Sequence, residues 1–183
     1  MAGQWWSRAR DGQVRLRLAG TEAATILGLV REMREVLDGP ADDPIMQRLF
    51  PRAYLDPTED QAETTWRALA GPDLLRDRLD RLDRLTAVLE PVALGERTEA
   101  IALDADAEAD WLCVLNDTRL TLGTAIGIRD DDEDDLDDPG DPDEMDDDDP
   151  QRPARYLYQV LTYFQGELVE VLLGSMPEAG LDD

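Results

Sequence analysis

Apolar positions along the chain change their period near residue 20. Before it, Val14, Leu16 and Leu18 alternate with Arg15 and Arg17, the two-residue period of a strand with one face buried. With the preceding Gln4–Ala9 stretch and Asp11-Gly12, a favoured two-residue turn, the pattern predicts a β-hairpin. Trp5 and Trp6 are consecutive there, so a strand points one inward and the other outward, as a contact surface or as a cover for the sheet. Ile101 and Leu103 alternate with Ala100 and Ala102, which predicts a third strand near residues 99–103.

Elsewhere the helical period prevails. Thr21 is placed as the N-cap of a helix to Leu37, with Ile26, Leu29, Val30, Met33 and Leu37 on one side and Gly39-Pro40 as its stop. Asp43-Pro44 starts a short helix ending at Phe50-Pro51. Asp56-Pro57-Thr58-Glu59 joins an Asp cap, Pro at the first position and Glu at the third, predicting a helix to about Ala70 with Trp66 and Leu69 inside. Gly71-Pro72 reads as a separator from a helix over Asp73–Glu90. There Leu75, Leu79, Leu82, Leu85 and Leu89 form the core stripe, and Asp77–Arg81 and Asp80–Arg84 are i,i+4 ion pairs. Under three heptads of leucines make ordinary core more fitting than a coiled coil, and exposed leucines there would favour a homodimer. Asp104 caps a helix to about Ile126, and a last helix runs from about Arg152 to Leu173. The fold class is therefore α+β and mostly α: a small N-terminal antiparallel sheet packed on five or six helices.

Charge divides this picture. The chain carries a net charge of −25 over 183 residues. Within Asp130–Pro150, however, 15 of 21 residues are Asp or Glu. Such a segment cannot bury apolar surface, so residues 130–150 read as a disordered insertion in one folded domain made of 1–129 and 151–176, with a flexible tail at 177–183. Without the insertion about −10 remains, a moderately acidic body. A calcium loop fails on spacing: with Gly140 at its sixth position, Pro139 falls where a ligand belongs and Asp146 where the closing Glu belongs.

Missing residue types narrow the chemistry further. There is no His and no Lys, all 18 basic residues being Arg, and Cys113 is the single cysteine. That removes an imidazole base, a Schiff base, a P-loop lysine, a zinc site and an intramolecular disulfide. Carboxylate-only catalysis stays open, but no spacing argues for it, so no catalytic residue, metal or cofactor is expected. No stretch approaches a membrane span or a secretory leader, which makes the cytoplasm the expected location. The negative charge disfavours direct DNA binding without a partner.

The helix from Trp111 carries the most specific pattern. Leu112, Asn116, Arg119, Gly123 and Ile126 fall on one narrow face, with Asp110, Asp117 and Thr121 opposite. An Asn and an Arg inside an apolar stripe give either a structural polar network that fixes register or a recognition pocket for a partner or ligand. Glu167 on the last helix, near the face of Tyr156, Val160, Tyr163 and Val171, is the expected partner of Arg119. Gly123 would let another helix approach closely. Cys113, near the edge of that face, is either an inert packing residue or a redox-active thiol.

Three segments carry a family resemblance: Arg48-Leu49-Phe50-Pro51-Arg52-Ala53-Tyr54 with the Asp56-Pro57 helix start; Trp111-Leu112 through Leu115-Asn116-Asp117-Thr118-Arg119-Leu120-Thr121-Leu122-Gly123-Thr124; and Tyr163-Phe164-Gln165-Gly166-Glu167-Leu168-Val169. In these the chain resembles an actinobacterial family of oxidative-stress transcriptional regulators, first catalogued as a domain of unknown function, over roughly residues 4–174. The resemblance implies a non-enzymatic cytoplasmic regulator in oxidative stress and sulfur metabolism. It would act through protein partners such as a sigma factor or RNA polymerase. The alternative is an adaptor or assembly factor tied to proteolysis or cysteine biosynthesis. The cysteine pair associated with redox sensing in that family is absent, so any redox response would pass through Cys113 alone or between chains.

Overall fold

In a computed structural model that describes residues 5–96, 100–128 and 150–174, a small sheet closes one side of a helical body. Strands β1 (Trp6–Arg8), β2 (Val14–Leu16) and β3 (Ile101–Leu103) run antiparallel in the order β1-β2-β3. Trp6 pairs with Leu16, and Leu16 with Ile101, so these apolar side chains share one buried face with Val14 and Leu103, and the exposed Arg8 stands at its end. The hairpin turn differs from the expected two-residue form. Ala9 N–H donates to Gln13 O and Gly12 N–H to Ala9 O, which leaves the three-residue loop Arg10-Asp11-Gly12. Gly12 takes the left-handed conformation (φ 84°) that such a loop requires at its last position.

The helices are α1 (Gly20–Leu37), α2 (Pro44–Leu49), α3 (Asp60–Ala93), α4 (Ala105–Ala125) and α5 (Arg152–Leu173). This is the mostly α, α+β architecture read from the sequence. Boundaries follow local chemistry. Asp43 and Asp104 accept from Ile45 N–H and Ala107 N–H, each at 2.8 Å, two side-chain N-caps. Helix α1 starts at Gly20, one residue before the expected cap Thr21. There Glu22 reaches back to Ala19 N–H at 2.7 Å, half of a capping box. Gly127 (φ 76°) ends α4 in a Schellman motif, with Ile128 N–H on Gly123 O and Gly127 N–H on Thr124 O.

The predicted break at Gly71-Pro72 does not occur. Asp56 caps a 3-10 turn, Pro57–Glu59, that runs directly into α3, and α3 continues through Pro72 for 34 residues. A proline has helical φ already and removes one hydrogen bond, to the carbonyl four residues back. Here that is Ala68, and both Ala68 and Pro72 are exposed, so water takes the freed carbonyl. The leucines of α3 behave as expected of core: Leu82, Leu85 and Leu89 are buried, Leu75 and Leu79 partly so. Packing along α1 and α4 leaves this part of α3 without the exposed leucine stripe that would favour a homodimer through it.

The sheet and helices meet at an aromatic cluster. Trp6 and Trp111 are 0% and 1% exposed, and Trp6 lies 5.4 Å from Trp111 and 4.9 Å from Phe164 between ring centroids. Trp6 Nε1–H donates to Phe164 O at 2.8 Å, so the indole is satisfied where it is buried. Trp5 points the other way yet is not a bare contact residue. It is half-buried, edge-on to Phe164, with Nε1–H on Glu22 at 2.9 Å. The acidic insertion at 130–149, the tail at 177–183 and Gln4 lie outside the described residues. Among those described, no helix is long and apolar enough to cross a membrane.

Candidate functional site: an arginine–carboxylate ladder between α3 and α4

On α3, Arg78, Arg81 and Arg84 recur every three residues and occupy one flank. Facing them on α4 are Asp110 and Asp117, two turns apart, with Cys113 between. Arg84 grips Asp110 with Nε at 2.5 Å and Nη2 at 2.9 Å, and Arg81 adds Nη1 at 3.3 Å. Asp110 is 5% exposed, so its charge is held by these two guanidinia rather than by water. Arg81 also keeps the predicted pair with Asp77, at 2.9 Å. The other predicted pair is not made: Arg84 turns from Asp80 to Asp110, because a buried carboxylate competes better than an exposed one. Both arginines are held above the ordinary guanidinium range, Arg84 chiefly by its bond to Asp110 and Arg81 by its bond to Asp77 against the opposing effect of burial.

Arg78 joins this ladder to the loop between α2 and α3. Its Nε stands 3.0 Å from Asp117 Oδ2, a close ion pair set off the hydrogen-bond line. Its Nη2 donates to Leu49 O at 3.0 Å, and its guanidinium lies 4.5 Å above the Phe50 ring. Burial pushes the Asp117 carboxyl up, opposed by Arg78 and then Arg81. About three turns of α3 earlier, Arg67 donates to Phe50 O at 3.1 Å and pairs with Glu63. Glu63, buried, accepts Ala53 N–H and Tyr54 N–H at 3.0 Å each, bonds that with Arg67 hold its carboxyl below the usual range, the Tyr54 N–H foremost. Three side chains of α3 thus engage two carbonyls, of Leu49 and Phe50, and two amides, of Ala53 and Tyr54, in the Leu49–Tyr54 loop. The first two signature segments meet at Arg78.

The other predicted residues distribute differently. Trp111 is core. Asn116 is exposed, and Arg119 is half-buried. Arg119 does not pair with Glu167: it donates to Thr162 Oγ1 at 3.1 Å, Gln165 Oε1 at 2.9 Å and Tyr158 Oη at 3.4 Å, with its guanidinium 5.3 Å from the Tyr158 ring. Tyr158, Thr162 and Gln165 share one flank of α5, whereas Glu167 projects from nearly the opposite one and accepts Trp5 N–H at 3.1 Å. Gly123 does what its size allows: a Cβ there would stand 3.3 Å from the Tyr158 ring, so α4 and α5 approach over it. Cys113 is exposed, a free thiol on the ladder side of α4.

The Asn116–Arg119–Gly123 face is therefore mostly a seam between α4 and α5, and the buried charges lie on the face that the sequence pattern had turned outward. Glu63, Arg67 and Arg78 were not singled out, and Arg81, Arg84 and Asp110 were read only as pairs within α3 and as the far side of α4. Their signal was two rows of opposite sign at helical spacing on neighbouring helices. Among the described residues no group of three or more His, Cys, Asp and Glu is arranged to hold a metal ion. A shallow cavity of about 350 Å³ at the end of α1 is lined by Glu32, Glu35, Val36, Gly39, Asp43 and Ile45, and Asp43 there is engaged in capping α2.

Through Arg78 this ladder locks the first two signature segments to one another. No curated protein and no solved structure matches the chain significantly. The chain does match, over residues 1–172, the family described as a domain of unknown function, DUF2017, and with nearly all of its length covered it belongs to that family.

Proposed function

We propose that the protein is a non-enzymatic regulator of transcription, in oxidative stress and sulfur metabolism, that works by contact with a sigma factor or RNA polymerase. The observation that carries this reading is the surface around the start of α3. Leu55 is 82% and Leu69 75% exposed, with half-buried Trp66 one turn before Leu69. Leu55 directly follows the Leu49–Tyr54 loop, which is immobilised by Glu63, Arg67 and Arg78, and Leu69 stands farther round α3. A tied-down loop ending in a large bare apolar side chain is the anatomy of a protein-contact surface. The charge of the arginines works inward: Arg8 holds Val171 O and Gly12 O, Arg15 holds Asp11, and Arg52 holds Asp60, which disfavours these residues as a phosphate-binding face. The likeness in the three signature segments supports the transcriptional role.

Affinity capture from the native cell, with the full chain and with Leu55→Asp/Leu69→Asp, tests it. Sigma factor or polymerase subunits recovered with the parent and lost with the variant support the reading. Recovery of protease components alone transfers the protein to the adaptor class, and a catch unchanged by the variant removes this surface from the argument.

A further inference from the structure

We infer that the outer face of α5 is a two-fold, antiparallel contact with a second copy of this chain. This goes beyond the regulatory reading and is independent of it. Helix α5 buries Tyr158, Leu161, Phe164 and Leu168, and its opposite, polar side carries two large exposed rings. Along it run Arg152, Tyr156, Gln159, Tyr163, Gly166 and Glu170. They are separated by four, three, four, three and four residues, the spacing of a coiled-coil seam. Tyr156 and Tyr163 are 57% and 61% exposed. Gly166 weakens the helix without a reason inside the monomer, since a Cβ there would meet nothing within 4 Å.

The spacing reads the same from either end and the charges at its ends are opposite, so the face complements a second copy of itself. Turning the helix end over end beside Leu161 places Arg152 on Glu170, Tyr156 on Gly166 and Gln159 on Tyr163. An isologous dimer therefore sets each Tyr156 ring into the open space over the partner's Gly166, with an Arg–Glu pair at both ends of the seam. A parallel pairing would set arginine on arginine and glutamate on glutamate, so the charges select the antiparallel one. Arg152 also keeps a contact within its own chain; the tyrosines supply most of the holding and the end charges the register. Two copies carrying −25 each repel at long range, so association strengthens as salt screens that repulsion.

Sedimentation velocity on the full chain provides the test, with circular dichroism to check that each variant folds. The mass rises from the monomer's 20.5 kDa to twice that with increasing concentration, more readily at about 0.3 M salt than at about 0.03 M. Tyr156→Glu/Tyr163→Glu, at sites already open to solvent, weakens association by about 30-fold or more, as loss of central aromatic anchors does. Arg152→Glu and Glu170→Arg each weaken it several-fold, and the two together in one chain restore it. A chain that stays monomeric up to about 0.2 mM overturns the inference. A dimer indifferent to the tyrosine changes also overturns it. A charge-swapped double variant weaker than both singles overturns the antiparallel register.

Discussion

Removing the Asp110 carboxylate is the sharpest probe of the ladder. In Asp110→Ala, Arg81 loses one of two carboxylates, and Arg84 loses the bidentate partner bound at 2.5 and 2.9 Å. Breaking a fully buried pair costs about 3–5 kcal/mol because the abandoned charge has no solvent. Here the abandoned charges are better placed. The Arg84 side chain is 54% exposed and Arg81, 21% exposed, keeps Asp77, so both can be rehydrated or re-paired. The expected loss is about 2–3 kcal/mol, a fall in melting temperature of roughly 5–10 °C for a domain of this size. Urea unfolding followed by tryptophan emission measures it, since Trp111 adjoins Asp110 and sits 5.4 Å from Trp6. The midpoint should drop with the urea dependence unchanged. Arg84→Ala should cost less, because Asp110 retains Arg81, and the double variant should show a coupling of about 1–2 kcal/mol. A loss under about 0.5 kcal/mol for Asp110→Ala, the range of a bland surface change, would refute the claim that the ladder holds α4 to α3.

Two further outcomes follow from residues on either side of it. Pro72→Ala supplies Ala68 O with a donor in the middle of α3; after the added freedom of the unfolded chain is subtracted, stability should rise by about 1–2 kcal/mol, and a lower melting temperature would show that α3 requires its proline. Asp117 has a raised carboxyl pKa in the folded state, so the penalty of its ionised form is present in full above that value and is relieved as pH falls through it toward the unfolded 3.8. Asp11, Asp56 and Glu63 are shifted down instead and lose their contributions as pH falls through the folded values; wild type should therefore gain on Asp117→Asn between pH 7 and pH 4 even as both lose stability, and a constant difference between them contradicts the assignment.

The sequence was most legible where one residue's chemistry decides the local structure. Asp43, Asp104 and the alternation Val14–Leu16 each act within a few residues of themselves, and the short helix, α4 and the sheet appear where they were read. Gly71-Pro72 misled because a local stop signal is only a preference. Both halves of α3 are fastened elsewhere, one by Glu63 and Arg67 to the preceding loop and the other by α1 and α4. The charged face of α4 misled for a related reason. On a helical wheel Asp110 and Asp117 look like solvent positions, and only α3, some 30 residues earlier, carries the arginines that make them interior. Arg119 was correctly read as a half-apolar cation in need of partners, but Glu167 and the Thr162–Gln165 pair differ by their side of α5, which spacing alone does not assign to a neighbour.

The bonds tying β1 to α5 join residues far apart in the chain: Trp5 to Glu167, Trp6 to Phe164 and Arg8 to Val171 are 162, 158 and 163 residues apart. During synthesis Trp6 and Trp111 must therefore wait, uncovered, until Phe164 has left the ribosome. A nascent chain released after α4 keeps its helices' local preferences and lacks the wall that dries their aromatic centre. The same contacts bring the first strand beside the last helix, so a circular permutant joining those ends and opened at Gly127 should rebuild the same core, with Phe164 no longer the last of the three central aromatics to be made but the first.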